Sequence, residues 1–383
     1  MNNLKPLCYA PFIGTFKQSN KFAPCCVSQR WKEDNFSDFW AGQRLKNVRS
    51  KLLNQEWPNE CIHCKRKTEQ GLSDERKIWN KHFETINTEI DINNGNKTGS
   101  PFFIDYRPTN KCNLKCRMCF PSASSQIESE LYKNKELEKW FDYPNERLDS
   151  NDTIDEIANF HVKELKILGG EPLIDKKVDY LITKILEIKS NENLPTLRLT
   201  TNATVLNQKL IQKIKKFSEI KISFSIDAVE DTYEYLRTGA NWKIVNNNIN
   251  YFFKNEVASK YIFNIVLTPY TIFNLENLIN WLISLHKKGY LFTCFFDESC
   301  EDYTNLSCVL PEHMEHVKKK IFNWYKNNTK VAHNLKINEL VDILYSISFD
   351  KQNYQNFIEY NNLLDKIRNT SIINIDNRFK DYI

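Results

Sequence analysis

The sequence predicts an α/β fold whose core is a partial (β/α)6 barrel with a parallel sheet. From residue 101 onward, short apolar runs alternate with longer stretches of helical periodicity, which is typical of β/α repeats. Polar motifs directly follow several predicted strands, where β/α barrels carry their functional groups. Because about six units are fewer than the eight of a closed barrel, we expect an open one.

The composition indicates a folded protein with more than one domain. The chain has 383 residues, of which 41% are hydrophobic and 13% aromatic, enough for a large core. No run of about 18 apolar residues predicts a membrane span, and the N-terminus lacks the apolar segment of a signal peptide. We therefore expect a cytoplasmic protein. Its eleven cysteines are tightly clustered, which in a reducing compartment indicates metal binding rather than disulfides.

The positive charge is concentrated near the N-terminus. Residues 1–90 contain 15 Lys and Arg against 10 Asp and Glu, which accounts for the whole net charge of +5. A solvated surface is the ordinary interpretation, and an anionic partner or substrate is the alternative. No strongly basic run with interleaved aromatic residues occurs, so nucleic-acid binding is not indicated.

Three domains are predicted. Residues 1–90 form a cysteine-rich module, 101–310 the barrel core and 311–383 a helical extension. Residues 87–100 are rich in Asn, Thr and Gly, which favours a linker at the first boundary.

The elements of the core and the extension follow from their apolar spacing. The predicted strands cover residues 102–106, 165–168, 197–201, 220–226, 261–267 and 291–296. The predicted helices cover residues 122–140, 176–189, 207–216, 242–254, 274–288, 311–328, 334–347 and 353–368.

The N-terminal module contains its own set of cysteines. Two distant cysteines and a C-x2-C pair supply four thiolates, which suit zinc or an iron–sulfur cluster equally well. The predicted ligands are Cys8, Cys25, Cys61 and Cys64. Cys26 is the alternative to Cys25, because adjacent side chains do not easily point at the same cluster.

A second cysteine motif, C-x3-C-x2-C, follows the first predicted core strand. Cys112, Cys116 and Cys119 can supply three thiolates to a [4Fe–4S] cluster and leave its fourth iron open to a small molecule. The motif resembles the signature of the radical SAM enzymes. The resemblance implies that S-adenosylmethionine (SAM) binds the open iron and is cleaved to a 5′-deoxyadenosyl radical, which abstracts hydrogen from a substrate. It also implies an electron donor such as flavodoxin or ferredoxin.

Further motifs resemble the SAM-binding positions of this family. The sequence Gly169-Gly170-Glu171-Pro172 resembles the motif that holds the SAM amino group. The resemblance implies SAM contacts also for Met118, Asn202, Ser225, Asp227 and Arg237. At each position the alternative is an ordinary turn, solvent-facing or packing role. After Asn202 the chain has Ala203 where the family usually has glycine.

The N-terminal cysteines, with their Pro and Trp neighbours, resemble the SPASM/twitch modules that bind auxiliary [4Fe–4S] clusters in radical SAM enzymes. Two departures stand out, since the module precedes the core here and has ligands for one cluster only. Asn20 also stands where glycine is usual, although Asn tolerates a positive φ. The alternative is a structural zinc site.

The last predicted core strand carries weaker candidates for the chemistry. Cys294 is expected to be a buried packing residue, with a hydrogen-atom donor or an added cluster ligand as the alternative. Asp297 and Glu298 follow it, and they either face the substrate as acid–base groups or face solvent.

Three functions remain open from the sequence. The first is a radical SAM oxidoreductase or isomerase acting on a small molecule such as a sugar or nucleotide. The second is a radical SAM maturase that modifies a peptide or protein. The third is a non-catalytic zinc-binding interaction protein, which predicts no cleavage of SAM.

Overall fold

The fold is mixed α/β with a parallel sheet, which confirms the predicted class. The computed structural model describes residues 7–18, 21–69, 74–86, 101–141, 154–299 and 301–383. The strands in this part of the chain are β1 (Gly14–Gln18), β2 (Lys21–Ala23), β3 (Trp31–Lys32), β4 (Phe103–Arg107), β5 (Lys115–Cys116), β6 (Glu164–Ile167), β7 (Thr196–Thr201), β8 (Ile220–Ser225), β9 (Arg237–Thr238), β10 (Lys260–Leu267) and β11 (Thr293–Glu298).

The helices flank these strands along the chain. Within the same residues they are α1 (Ala10–Ile13), α2 (Phe36–Ala41), α3 (Gln43–Leu53), α4 (Ile62–Glu69), α5 (Arg76–Ile86), α6 (Ser125–Lys133), α7 (Ile154–Asn159), α8 (Lys176–Ile188), α9 (Gln208–Ile214), α10 (Glu230–Leu236), α11 (Trp242–Lys254), α12 (Leu275–Lys287), α13 (Pro311–Asn327), α14 (Thr329–Asn334), α15 (Ile337–Ser346) and α16 (Lys351–Arg368). None of them is long and apolar enough to cross a membrane.

The chain divides into two units. The first comprises Met1–Asn110, Asn145–Leu199 and Lys209–Ile220. Its strands lie in the order β7-β6-β4-β1-β2-β3. Strands β7, β6, β4 and β1 are parallel, whereas β2 and β3 continue the sheet in antiparallel pairs.

Strand β1 is an N-terminal element that the sequence analysis missed. It pairs in parallel with β4, the first predicted core strand. All five of its residues are buried, so its sequence does not alternate between apolar and polar residues as a half-buried strand does. The predicted boundary at 87–100 lies outside the described residues, and the three-domain division stays a prediction.

The two faces of this sheet differ in polarity. Side chains alternate between the faces along a strand, and the register aligns Thr15, Ile104, Leu165 and Leu197 on one of them. All four are buried. The next row, on the opposite face, contains Phe16, Asp105, Lys166 and Arg198. The first face therefore belongs to the core, whereas the second carries charged side chains.

The second unit comprises Lys111–Pro144, Thr200–Gln208 and Lys221–Ile383. Strands β8, β10 and β11 run parallel in it, and β10 alternates buried and less buried residues, as a strand packed on one face does. Strands β5 and β9 form a separate antiparallel pair.

The predicted helix over 122–140 is confirmed only over Ser125–Lys133. A 3-10 turn at Pro121–Ala123 precedes α6, and a second 3-10 segment, Lys135–Trp140, follows it. The break lies at Asn134, whose φ of −133° and ψ of 86° are not helical. Asn hydrogen-bonds readily to nearby backbone and so competes with the helix; here its side chain donates to the carbonyl of Glu130 at 2.9 Å.

The C-terminal extension is helical, as predicted, and its last helix packs within the second unit. Leu364 and Tyr360 of α16 form a buried apolar cluster with Leu131 of α6 and Leu137. The same helix also reaches the cysteine loop that precedes α6.

Candidate functional site

The loop of Cys112, Cys116 and Cys119 is fixed by backbone pairing within the second unit. Cys116 pairs with Arg237 across β5 and β9, and the N–H of Cys119 donates to the carbonyl of Cys116 at 3.1 Å. Gly239, at φ +101°, lies against the loop, and a Cβ there would come within 3.2 Å of the Asn113 carbonyl oxygen. The loop therefore depends on a close backbone approach that glycine permits.

A buried ion pair between Arg237 and Asp227 lies next to Cys116, the second cysteine of the loop. Arg237 Nη2 lies 2.6 Å from Asp227 Oδ2, and Arg237 Nη1 lies 3.6 Å from the sulfur of Cys116. Asp227 also accepts from the N–H of Val266 at 2.8 Å. Although burial opposes the charge of Arg237, the Asp227 carboxylate raises the pKa of this guanidinium. The arrangement places a permanent cation beside a thiol, which favours the thiolate that a metal requires.

Burial dominates the acidity of the cysteines themselves. It raises the pKa of Cys116, against the lowering effect of Arg237. Burial, with the neighbouring Cys116 and Cys112, raises the pKa of Cys119 to about 12. A metal binds the thiolate form of cysteine, so metal binding at these buried thiols releases protons.

Asn202 contacts the first cysteine. Its amide nitrogen lies 4.0 Å from the sulfur of Cys112 and 3.2 Å from Asn113 Oδ1, while its Oδ1 accepts from Thr204 Oγ1 at 2.6 Å. The next residue, Ala203, adopts φ +56°. The structure thus shows why the corresponding family motif has glycine here, because a Cβ is unfavourable in the left-handed region.

The loop is held from its other side by α16, which the sequence analysis did not foresee. Arg117, whose side chain is fully buried, donates to Asp365 Oδ1 at 2.7 Å and to Asn361 Oδ1 at 3.1 Å. Its guanidinium carbon stacks 3.7 Å from the centroid of the Tyr235 ring. An Arg between two cysteines of a predicted cluster motif was a usable signal, because an arginine is almost never fully buried unless it is paired.

A second ion pair joins α16 to the loop and to α6. Arg368 Nη2 lies 2.7 Å from Glu130 Oε2, and its Nη1 donates to the carbonyl of Lys115 at 2.9 Å. Lys115 Nζ contacts Glu130 Oε1 at 2.8 Å. The backbone next to Cys116 is therefore tied to two helices.

The GGEP turn lies at the end of β6 in the first unit. Gly169 and Gly170 have φ of +86° and +54°. A Cβ on Gly169 would come within 2.8 Å of the Cβ of Arg107. Glu171 is buried and accepts from the N–H of Leu173 at 3.0 Å, and Pro172 starts a 3-10 turn. The turn has the positive φ values and close approach that its glycines predict.

The four N-terminal cysteines line one cavity of the first unit. The cavity measures about 400 Å³ including its open mouth, and Cys8, Cys25, Cys61 and Cys64 contribute to its wall. Cys26 is not among the lining residues, and the choice of Cys25 as a ligand stays a prediction.

Hydrogen bonds position the segments that carry these four cysteines. Asn80 of α5 accepts from the N–H of Tyr9 at 3.1 Å and donates to the carbonyl of Leu7 at the same distance, which fixes the backbone on both sides of Cys8. Ser28 Oγ donates to the Glu60 carbonyl at 3.0 Å. This bond links the turn after Cys25 to the 3-10 turn that ends at Cys61.

Arg76 brings a positive charge to the same cavity. It forms a bidentate pair with Asp74, at 3.0 and 2.7 Å, and stacks over the Trp57 ring at 4.7 Å. Burial raises the pKa of Cys61 to about 12, and Arg76 acts in the opposite direction. The cation therefore offsets part of the charge that bound thiolates bring into an apolar cavity.

The four thiols supply donors for more than one kind of metal site. A tetrahedral zinc needs all its ligands around one atom, whereas a cubane cluster binds each thiolate at a different iron. Across the described ranges, no three His, Cys, Asp or Glu side chains form a group that could hold a single metal ion.

The remaining predicted residues take varied positions. Cys294 is fully buried, in keeping with a packing role, and burial raises its pKa. Asp297 is exposed, whereas Glu298 is partly buried and accepts from the N–H of Leu306 at 2.9 Å. Met118 packs against the apolar cluster of Tyr235 and its neighbours. Ser225 ends β8 and is partly buried. Their roles toward SAM or a substrate stay predictions.

Residues 106–282 match the family model described as the Radical SAM superfamily, so the resemblance covers less than half of the chain. The members of that superfamily are enzymes.

Individual relatives are more distant. The radical SAM cyclopropyl synthase TigE of Paramaledivibacter caminithermalis is 25% identical over 217 residues, 47% of this chain and 45% of TigE. A probable GTP 3′,8-cyclase of Methanococcus maripaludis is 28% identical over 142 residues, 37% of this chain and 42% of the cyclase. The chain thus spans less than half the length of both. A solved structure, native anSMEcpe with bound AdoMet, has a TM-score of 0.44 and 17% identity, covering 60% of this chain and 61% of that one.

Proposed function

We propose that this chain is a radical SAM enzyme that binds a [4Fe–4S] cluster through Cys112, Cys116 and Cys119 and binds SAM at its open iron. When bound and reduced, this cofactor pair supplies a 5′-deoxyadenosyl radical that abstracts hydrogen from the substrate. The observation that carries the proposal is the match to the superfamily model in a chain whose three-cysteine loop is held by Arg237, Asn202 and α16.

The residues around the loop position it and compensate its charge. Arg237 places its guanidinium at the sulfur of Cys116, and Asp227 fixes the orientation of that guanidinium. Asn202 directs its amide toward Cys112. We assign Gly169, Gly170, Glu171 and Pro172 to the SAM amino group by their resemblance to the family motif, together with SAM contacts for Met118 and Ser225.

A second [4Fe–4S] cluster completes the proposal, with Cys8, Cys25, Cys61 and Cys64 as its ligands. The support is the cavity that all four line and the cation of Arg76 beside it. Four thiolates occupy all four irons of a cubane, so this cluster passes electrons rather than binding substrate. We infer an oxidation or rearrangement of a small molecule as the overall reaction. One relative named for a nucleotide, GTP 3′,8-cyclase, supports that substrate class.

The cofactor content tests both assignments. After anaerobic reconstitution, the wild-type chain is expected to contain about eight irons and eight acid-labile sulfides. The triple variant Cys112/Cys116/Cys119→Ala should retain about four, and so should Cys8/Cys61/Cys64→Ala. Iron and sulfide assays with electron paramagnetic resonance of the reduced proteins provide the measurement.

Cys308→Ala is the matched control, because Cys308 is buried and belongs to neither set. It should keep the full iron content. Iron that persists in the first triple variant at the wild-type level would contradict the SAM-cluster assignment. Zinc in place of iron in the second set would make residues 1–90 a structural zinc module and leave the core assignment standing.

A further inference from the structure

We propose that Arg30, Arg107 and Lys166 form a site for the phosphate group of an anionic substrate on the charged face of the first unit's sheet. The identity of this anion as substrate rests on the proposed function, whereas its binding does not.

The three cations converge around one aromatic ring and one carboxylate. The guanidinium carbons of Arg30 and Arg107 lie 4.7 and 4.8 Å from the centroid of the Phe16 ring. Arg107 Nε lies 3.5 Å from Asp105 Oδ1, and Lys166 Nζ lies 3.1 Å from Asp105 Oδ2. Phe16, Asp105 and Lys166 occupy one row of the sheet, so these groups are placed by strand register.

The charges of this cluster do not balance. Asp105 is shared by Arg107 and Lys166, while Arg30 donates to the neutral amide of Gln18 at 2.6 Å. Among the described residues, no carboxylate lies within ion-pair distance of Arg30. The nearby carboxylate of the same face, Glu164, is paired with Arg198 at 2.7 Å.

Asp105 is the carboxylate that Arg107 and Lys166 share, so the three cations leave a positive excess that suits a phosphate anion. Burial lowers the pKa of Arg30, and the nearby positive charge of Arg107 lowers it further. Guanidinium groups bind phosphate through two parallel hydrogen bonds, and an ammonium adds a point charge. An anion at this position removes the repulsion between the two arginines.

The cluster is accessible and lies beside the GGEP turn. The side chains of Arg107 and Lys166 are 14% and 26% exposed to solvent. Gly169 approaches Arg107 so closely that a Cβ would meet it at 2.8 Å. The thiol of Cys26 also interacts with Asp105, Lys166 and Arg107, and with Glu75. A phosphate bound here therefore stands next to the turn assigned to SAM.

Binding of inorganic phosphate to the reconstituted full chain, measured by isothermal titration calorimetry, tests the site. Arg30→Gln and Arg107→Gln are each expected to weaken binding by about tenfold or more, as the loss of a charge-assisted hydrogen bond predicts. Lys213→Gln makes the same change in net charge at a lysine paired with Asp179, and it should bind as the wild type does.

Repeating the titration with saturating SAM distinguishes a site for a substrate phosphate from a site for the carboxylate of SAM. Phosphate affinity that is unchanged by SAM supports a substrate site, whereas displacement by SAM would assign the cluster to the cofactor's carboxylate and overturn the proposal. Wild-type protein that binds no phosphate, or a folded Arg30→Gln variant with full affinity, overturns it as well.

Formation of 5′-deoxyadenosine in the same samples keeps this test apart from the proposed function. If phosphate binds as predicted and SAM is not cleaved, the reaction is wrong and the anion site stands. If SAM is cleaved and phosphate does not bind, only the anion site is wrong.

Discussion

Single residues decide how the three-cysteine loop is held. Arg237 connects Asp227 to the sulfur of Cys116. The side-chain amide of Asn202 contacts the sulfur of Cys112. Sequence motifs identified each of these residues, but they did not reveal that Arg237 and Asp227 pair with each other. A motif records residue types, whereas the partner of a guanidinium depends on which side chains folding brings near it.

Ala203 offers a test at this scale. Replacing it with glycine should raise the free energy of unfolding by about 0.5 kcal/mol, because relief of the left-handed conformation at φ +56° exceeds the added entropy of the unfolded chain. Urea denaturation measures the change. The matched substitution Ala158→Gly, within α7, should instead lower stability by about 1 kcal/mol or more. A less stable Ala203→Gly protein contradicts the strain argument.

At the scale of elements, α16 acts as a support for the cysteine loop. Arg117 and Arg368 connect the helix to the loop backbone and to α6 through buried charged hydrogen bonds. The helical pattern of 353–368 was visible in the sequence, because an amphipathic period needs only local information. The sequence did not reveal where this helix packs, because contacting residues such as Arg117 and Asp365 are far apart along the chain.

Removing the charge of Asp365 tests this support. Asp365→Asn leaves the buried guanidinium of Arg117 without its carboxylate, and we expect a loss of about 3 kcal/mol in unfolding free energy. We also expect less iron in the loop's cluster. Asp376→Asn is the control, because its pair with Arg378 is partly exposed and should contribute less than about 1 kcal/mol. Equal effects of the two substitutions would show that α16 has no special role.

The pair between α6 and α16 predicts a dependence on pH. Although burial opposes it, hydrogen bonds from Arg368 and Lys115 lower the pKa of Glu130 below 4.5. A carboxylate whose pKa falls on folding stabilises the protein above its unfolded pKa, and that contribution disappears as the pH drops through the folded pKa. Stability should therefore decline below about pH 4.5.

Urea denaturation across the acidic range measures this decline. It should be shallower in Glu130→Gln, whereas Glu138→Gln, at an exposed position of the following 3-10 segment, should follow the wild type. Identical pH profiles for wild type and Glu130→Gln would remove the pair as the cause.

At the scale of the whole molecule, the predictable part of the fold is the part with strong periodicity. Strand β10, Lys260–Leu267, was expected over 261–267, and α11 coincided with the predicted 242–254. The sequence pattern did not predict strand β1, because its polar residues Lys17 and Gln18 are buried. The helix predicted over 122–140 ends early, at Lys133, because Asn134 offers the backbone a competing hydrogen bond. Long-range pairing with β4 places β1, whereas a local hydrogen bond accompanies the break in the helix.

The candidate sites follow the same division. Spacing predicted the cysteines of both sets, and the cavity is lined by Cys25 but not by Cys26. The cationic cluster of Arg30, Arg107 and Lys166 was invisible in the sequence, because strand register brings these residues together. Only the excess of basic residues before residue 90 pointed toward an anionic ligand.

Reductive cleavage of SAM tests the central claim most directly. The reconstituted chain, reduced with dithionite under anaerobic conditions, is expected to convert SAM to 5′-deoxyadenosine and methionine, detected by liquid chromatography and mass spectrometry. Cys116→Ala should form none, and Cys308→Ala should match the wild type. A wild-type protein that contains its iron and sulfide, accepts an electron, binds SAM and still yields no 5′-deoxyadenosine would contradict the account.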